Sequence, residues 1–345
     1  MLTQKSRLPR VALTLGDVAG IGPEIVARAC ADGRLYEWCQ PVVIGHPELM
    51  RRALQQIEST LQVIPLENLA NPVPATDRRI PVFNPGDDTV VGVPLGQLDA
   101  RAGKAAYEYL VAAARAALRV EIDAITTAPL NKAALHLAGL NYPGHTEILA
   151  EECGVVDFGM MLYLPHGDRV CSAYGLGVVH VTLHTSIRSV PDLLTTAAVR
   201  EKIGLIDGYL RRIGCTQPRV AVCALNPHGG ESGLFGDEEI RIIAPAVAEA
   251  REAGIQVQGP LPADTLLKRA VAGEFDGVVA MYHDQGHIAL KLIGFDTAVN
   301  ITLGLPIIRT SPSHGTAFDI AGQNQADPQG LMQAVRIAAL LAKNR

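Results

Sequence analysis

Gly277-Val278-Val279-Ala280-Met281-Tyr282-His283-Asp284-Gln285-Gly286-His287 decides how this chain is read. An apolar run of this length is what a strand buried on both faces looks like. It stops at a cluster of His, Asp and Gly, and ligands gather at the carboxyl ends of strands in an open α/β sheet. The residues beyond keep that character. Lys291, Asn300 and Arg309 stand among apolar neighbours rather than in a solvated charge run. His314-Gly315-Thr316-Ala317-Phe318-Asp319-Ile320-Ala321-Gly322 is too rich in small residues for an ordinary surface loop. The plainer alternative is a buried strand with a polar turn and satisfied histidines.

Working outward, residues 11–15 read as a first strand. Gly16-Asp17-Val18-Ala19-Gly20-Ile21-Gly22-Pro23-Glu24 follows, then a helix over 25–31. Pro23 suits a first helical turn, where its missing N–H costs nothing. This is neither a G-x-G-x-x-G fingerprint nor a P-loop, and Asp17 and Glu24 would repel a phosphate. Further strands are predicted at 41–45, 123–127, 159–164, 178–183 and 219–225. Helices are predicted at 47–57, 98–120, 132–138, 191–213, 237–253, 264–272 and 329–343. Residues 71–88 read as loop with a short strand near Val82. The alternation argues for an α/β fold with a largely parallel sheet, antiparallel members allowed.

Bulk composition agrees. The chain has 345 residues, 4% aromatic, with a formal charge of -5 and no basic block. That length gives one large or two medium domains. Nucleic-acid binding needs a concentrated cationic surface, which is lacking. No apolar run approaches the roughly 20 residues that span a bilayer. The start, Met1 to Arg10, has no signal-peptide apolar core. The six cysteines form no Cys-x-x-Cys pair. A cytoplasmic protein with reduced thiols is expected.

Three predicted apolar strands each lead to a histidine: His184, His228 and His283. Parallel strand ends can gather residues that are distant in sequence. Three imidazoles with open positions make a catalytic divalent-metal site, with Asp264 and Asp284 as outer partners or further ligands. His145 and Thr146 precede or open a helix, where free N–H groups favour anions. With Lys291, Asn300 and Arg309 they form an anion-binding set. Lys132 reads better as an ordinary surface cation.

Several quoted runs resemble the 4-hydroxythreonine-4-phosphate dehydrogenase family. They are Thr127-Ala128-Pro129-Leu130-Asn131-Lys132, Gly144-His145-Thr146-Glu147, Asn226-Pro227-His228, Tyr282-His283-Asp284-Gln285-Gly286 and Val299-Asn300-Ile301-Thr302-Leu303-Gly304-Leu305-Pro306. His314-Gly315-x-Ala317-x-Asp319-Ile320-Ala321-Gly322, with Ala326-Asp327-Pro328, is similar to the cofactor loop of isocitrate and isopropylmalate dehydrogenases. The resemblance implies a two-domain α/β/α fold of that type, split as residues 1–130 with 305–345, and 131–304. It implies a homodimer with the active site in an interdomain cleft at the subunit interface. His184, His228 and His283 match the ligands of one zinc, magnesium, cobalt or manganese ion. His145, Thr146, Lys291, Asn300 and Arg309 match the substrate contacts. His314, Gly315, Asp319 and Gly322 match NAD or NADP contacts. Asp264, Asp284 and Lys291 are the candidates for moving protons.

Val18 departs from the family's usual proline, and the sequence after His184 departs from that of the biosynthetic enzymes. Residues 141–147 and the surroundings of residues 231–238 look like a branch acting on 4-phospho-D-threonate or erythronate. Val181-Thr182-Leu183-His184-x-Ser186-x-Arg188-Ser189 is also similar to terephthalate cis-dihydrodiol dehydrogenase. Three readings follow: oxidative decarboxylation of a phosphorylated hydroxy acid, the same chemistry on an aromatic dihydrodiol carboxylate, or non-catalytic sugar-phosphate binding.

Overall fold

The computed structural model describes residues 7–345; the polar start at residues 1–6 lies outside them. Contacts divide the chain into two compact units, one holding the residues up to Val156 with Leu305–Lys343, the other Asp157–Gly304. The second unit thus begins later than residue 131, for a packing reason. Helices Lys132–Leu137 and His145–Cys153 pack on the long helix Ala100–Leu118. At Gly103 of that helix a Cβ would stand 2.1 Å from the Ala134 carbonyl oxygen, so only glycine permits this approach.

Strands are numbered along the chain. The first unit contains β1 (Arg10–Thr14), β2 (Gln40–Ile44), β3 (Gln62–Leu66), β4 (Arg79–Phe83), β5 (Ala124–Thr127) and β12 (Arg309–Pro312). They lie in the order β3-β4-β2-β1-β5-β12, all parallel. β1 is buried along its whole length, as a central parallel strand should be. The turn after it is bolted to the end of β5, because Asp17 N–H donates to the Pro129 carbonyl at 2.9 Å. Gly16 has φ +63° there, and a Cβ would meet that carbonyl at 2.3 Å. Asp17 is fully buried. One carboxylate oxygen accepts from Ala19 N–H at 2.9 Å and the other has no partner, and burial pushes the carboxyl up to about 6.

The second unit contains β6 (Gly159–Leu164), β7 (Leu176–His180), β8 (Val220–Cys223), β9 (Val257–Leu261), β10 (Gly277–Ala280) and β11 (Val299–Leu303). Their order is β11-β6-β7-β10-β8-β9. β7, β10, β8 and β9 run parallel, while β6 is antiparallel to both its neighbours. The core packs Leu162, Val178, Ala221, Val278 and Phe275 under the helix Ala263–Val271. No helix among the described residues is long and apolar enough to cross a membrane.

The Gly103 contact generates a stability prediction. Alanine normally favours a helix over glycine by about 1 kcal/mol. Here Gly103→Ala should instead destabilise by about 1–3 kcal/mol through overpacking against Ala134. Urea unfolding at neutral pH measures it, and an unchanged or raised midpoint contradicts the close approach.

Candidate active site

The three predicted metal histidines all follow β7, β10 and β8, neighbours in the second unit's sheet that run the same way. Their carboxyl ends therefore share one edge. β7 ends at His180, but the Val181 and Thr182 amides still donate to the Ala280 and Met281 carbonyls. The backbone thus follows β10 two residues further, and exposed His184 stands just beyond. His283 opens the helix His283–Gly294 directly after β10. The rings of His184 and His283 are 5.9 Å apart between centroids.

His228 lies in a loop after β8 and is exposed. With Glu231 and Ser232 it takes left-handed backbone, at φ 54°, 44° and 58°. Such strain persists only where the surroundings impose it. The entry to this segment is anchored by Glu239, 3% exposed. Its carboxylate accepts the Leu225 and Asn226 amides at 2.8 Å each and the Asn226 side-chain amide at 3.0 Å. Among the described residues, no three His, Cys, Asp or Glu side chains are gathered tightly enough to hold an ion. Three imidazoles at adjacent strand ends fit a divalent cation by donor chemistry, and two of them are brought together within this chain.

Two histidines that sequence reasoning passed over complete the cluster. His287 stacks on His283 at 3.8 Å, and its Nδ1 is 3.1 Å from Nε2 of His180. His180 Nδ1 lies 3.4 Å from the Met160 carbonyl oxygen. The available signal was spacing: His287 is one helical turn from His283. Burial lowers His180 to about 3 and His287 to about 4, each helped by a neighbouring imidazole.

The expected anion set is split between the units. In the first, Arg309 is 2% exposed and donates from Nη2 to Thr127 Oγ1 at 2.8 Å. Burial pushes its guanidinium down to about 10, offset in part by Glu147, so it stays charged at neutral pH. His145 and Thr146 open a helix whose N-cap, Gly144, supplies no side-chain cap, leaving amides for an anion. Burial, and then the charge of Arg309, hold the His145 ring well below its ordinary value, so it is neutral, with Nε2 3.2 Å from the Ala128 carbonyl oxygen.

In the second unit, the Asn300 side-chain oxygen is buried without a partner. Lys291 Nζ sits 5.8 Å from the Phe295 ring centroid. Asp264 is exposed and accepts from Thr265 N–H. Asp284 is exposed and lies 2.6 Å from His283 Nδ1.

The residues expected to hold the cofactor lie on one loop of the first unit. His314 Nδ1 contacts the Gly315 carbonyl at 3.0 Å, so that nitrogen carries the proton and the buried Nε2, without a partner, is an acceptor. Asp319 is exposed, Gly322 has φ +78°, and a Cβ at Gly315 would meet open space. An orphaned acceptor and an exposed carboxylate on one loop fit the hydroxyl and amino donors of a nucleotide.

The protein-family description "Pyridoxal phosphate biosynthetic protein PdxA" matches residues 37–338. The chain belongs to the PdxA family. It is 46% identical over 341 residues to D-threonate 4-phosphate dehydrogenase of Salmonella typhimurium, covering 96% of this chain and 98% of that protein. A crystal structure of 4-hydroxythreonine-4-phosphate dehydrogenase from Klebsiella pneumoniae superposes with TM-score 0.84 at 43% identity, over 97% of this chain and 99% of the other. A terephthalate 1,2-cis-dihydrodioldehydrogenase from Burkholderia xenovorans LB400 superposes with TM-score 0.67 at 32% identity, over 97% and 98%. The two-unit α/β architecture is therefore that of PdxA-family dehydrogenases.

The buried imidazoles fix the sign of a pH effect. His145, His180 and His287 all have lowered values against an ordinary 6.5. Below that pH the unfolded chain takes up protons that the folded chain refuses, so stability falls as pH drops through it. Each ring contributes up to about 1.4 kcal/mol per pH unit. Urea unfolding of metal-free protein should show stability falling steadily from neutral pH to about pH 5. A flat profile over that window contradicts neutral buried rings.

Proposed function

We propose that this chain is an NAD(P)-linked dehydrogenase that oxidises and decarboxylates a phosphorylated four-carbon hydroxy acid, with 4-phospho-D-threonate the favoured substrate over 4-phosphooxy-threonine. The observation that carries the phosphate half is Arg309, charged and buried beside an uncapped helix start. A tetrahedral dianion can use donors from several directions, and a planar carboxylate fewer. The threonate half rests on the identity to the Salmonella typhimurium enzyme over nearly the whole chain.

His184, His228 and His283 would hold one divalent cation, which when bound polarises the substrate hydroxyl. His314, Gly315, Asp319 and Gly322 would hold the dinucleotide, the hydride acceptor. Arg309, with the amides of His145 and Thr146, grips the phosphate. The Asn300 oxygen accepts from a substrate hydroxyl, and Lys291 completes the contacts. Asp284 is already occupied by His283, and Asp264 faces water. This reading therefore assigns the proton transfer to Lys291 rather than to Asp264 or Asp284. Oxidation leaves a β-keto acid, and loss of carbon dioxide follows.

The functional unit in this reading is a homodimer. Ile288, Leu292 and Phe295 are 57%, 79% and 48% exposed at helical spacing on one stripe. Such a stripe calls for a partner surface. Sedimentation at assay concentration should give a dimer. Chelation should abolish turnover, readdition of a divalent ion should restore it, and folded His228→Ala should not be restorable. An active monomer, or activity surviving chelation, removes the corresponding part of the reading.

Arg309→Ala tests the substrate. A charge-assisted hydrogen bond contributes roughly 1.5–3 kcal/mol, so kcat/KM for 4-phospho-threonate should fall by about one to two orders of magnitude. If wild-type protein instead prefers terephthalate dihydrodiol, the phosphate reading is wrong and the dihydrodiol branch replaces it.

A further inference from the structure

The turn and helix after β1 take no part in the chemistry above, although their wording, Gly20-Ile21-Gly22-Pro23-Glu24, is the most distinctive of the first unit. Their contacts show what they hold. Ile21 N–H donates to the Thr316 carbonyl at 3.0 Å. A Cβ on Gly20 would meet that same carbonyl oxygen at 2.5 Å. One turn later, Glu24 Oε1 accepts the Ala326 amide at 2.9 Å and Arg28 Nε at 3.2 Å, while Oε2 accepts from Gln56 at 3.2 Å. Arg28 Nη2 in turn donates to the Asn324 carbonyl at 2.8 Å and to its side-chain oxygen at 2.7 Å. Thus Thr316, Asn324 and Ala326, spanning the loop, are each tied to one short stretch of helix and turn.

Two features make this more than packing. Glu24 is 3% exposed on a helix that faces the core, where an aliphatic residue would cost nothing to bury. A buried carboxylate is tolerated only when its oxygens are used, and one of them is used on the loop. The loop, for its part, holds non-glycine residues in left-handed backbone, Ala317 at φ 43° and Asn324 at φ 61°. Such residues relax unless the surroundings dictate their conformation. Arg28 grips Asn324 itself, and Gly20 and Ile21 hold the residue before Ala317.

We propose that Gly20, Glu24 and Arg28 are positioning residues for the dinucleotide: they keep the loop 316–326 in the shape that binds it, and so set cofactor affinity without entering the chemical step. This rests on the reading of that loop as the NAD(P) site. It predicts a split between cofactor binding and turnover. Loss of a charged hydrogen bond corresponds to about 10- to 100-fold. Glu24→Ala and Arg28→Ala should therefore raise the dinucleotide Kd by that factor. In both, kcat at saturating dinucleotide should stay within about threefold of wild type.

The experiment is calorimetric titration of full-length protein with NAD+ and NADP+, beside hydrogen exchange of cofactor-free protein. Wild type and both variants are compared, with Glu24→Gln as a conservative variant. Glu24→Gln keeps an acceptor for the Ala326 amide, so it should recover much of the affinity lost in Glu24→Ala. Exchange at the 316–326 amides should accelerate in Glu24→Ala. A dinucleotide Kd within about twofold of wild type in both alanine variants overturns the proposal, as does unchanged exchange. Wild-type protein that binds neither dinucleotide overturns the cofactor reading itself, and the proposal with it.

Discussion

A strand buried on both faces of a parallel sheet has no room for reactive side chains, so polar chemistry must wait until the strand ends. In the second unit this constraint selects the site. β7, β10 and β8 lie side by side with their carboxyl ends at one edge, and His184, His283 and His228 follow them. The antiparallel strands obey the same rule in reverse. β6 starts where β7 ends, so the Met160 carbonyl stands beside His180, and the Asn300 side chain on β11 reaches the Met160 sulfur at 3.4 Å. Residues far apart in sequence are thus neighbours because strand direction, not chain proximity, decides what shares an edge.

A fold under selection for stability alone would close its polar valences. This one leaves several open, some of them on segments expected to meet a ligand. The Asn300 oxygen and His314 Nε2 are buried with no partner, and His228 takes left-handed backbone in a segment whose entry, at Leu225 and Asn226, is anchored to buried Glu239. Each is unfavourable in the free protein, and each sits on a segment that the strand order or the family resemblance marks for a ligand. Open valences at Asn300 and His314 are consistent with a ligand there, although buried unpartnered atoms such as Tyr109 Oη and Gln333 Oε1 lie elsewhere.

Much of this was legible in the sequence because it was written in long buried runs. Residues 277–281 and the helix Ala100–Leu118 carry periodicity that no neighbour overrides. Besides β11 and β12, the strands that escaped reading were β3 and β9, Gln62–Leu66 and Val257–Leu261. Both lie at sheet edges and both contain proline, which an edge tolerates and a sequence pattern reads as a breaker. The helix His283–Gly294 was hidden because its first turn is a cluster of polar residues around Gly286. That glycine is required by space: a Cβ there would stand 2.4 Å from His180 Nε2. His180 and His287 were missed for the same reason, since their role is a contact between a strand end and a helix that only the packed unit creates.

Those two rings bear on how His283 presents itself. A carbonyl and a carboxylate oxygen accept hydrogen bonds, so His180 carries its proton on Nδ1 toward Met160 and leaves Nε2 as an acceptor. His287 Nδ1–H then points at that acceptor, and the His287 ring is fixed. It lies 10° from parallel to His283, which removes most of the freedom of the His283 ring. Asp284 holds Nδ1 of His283 at 2.6 Å, so the proton sits there too and the free electron pair is on Nε2. Burial keeps His180 and His287 neutral at neutral pH, so neither places a positive charge beside it. The result is an imidazole fixed in orientation, fixed in tautomer and free of cationic neighbours in its own stack, which is the condition a cation requires of a nitrogen ligand.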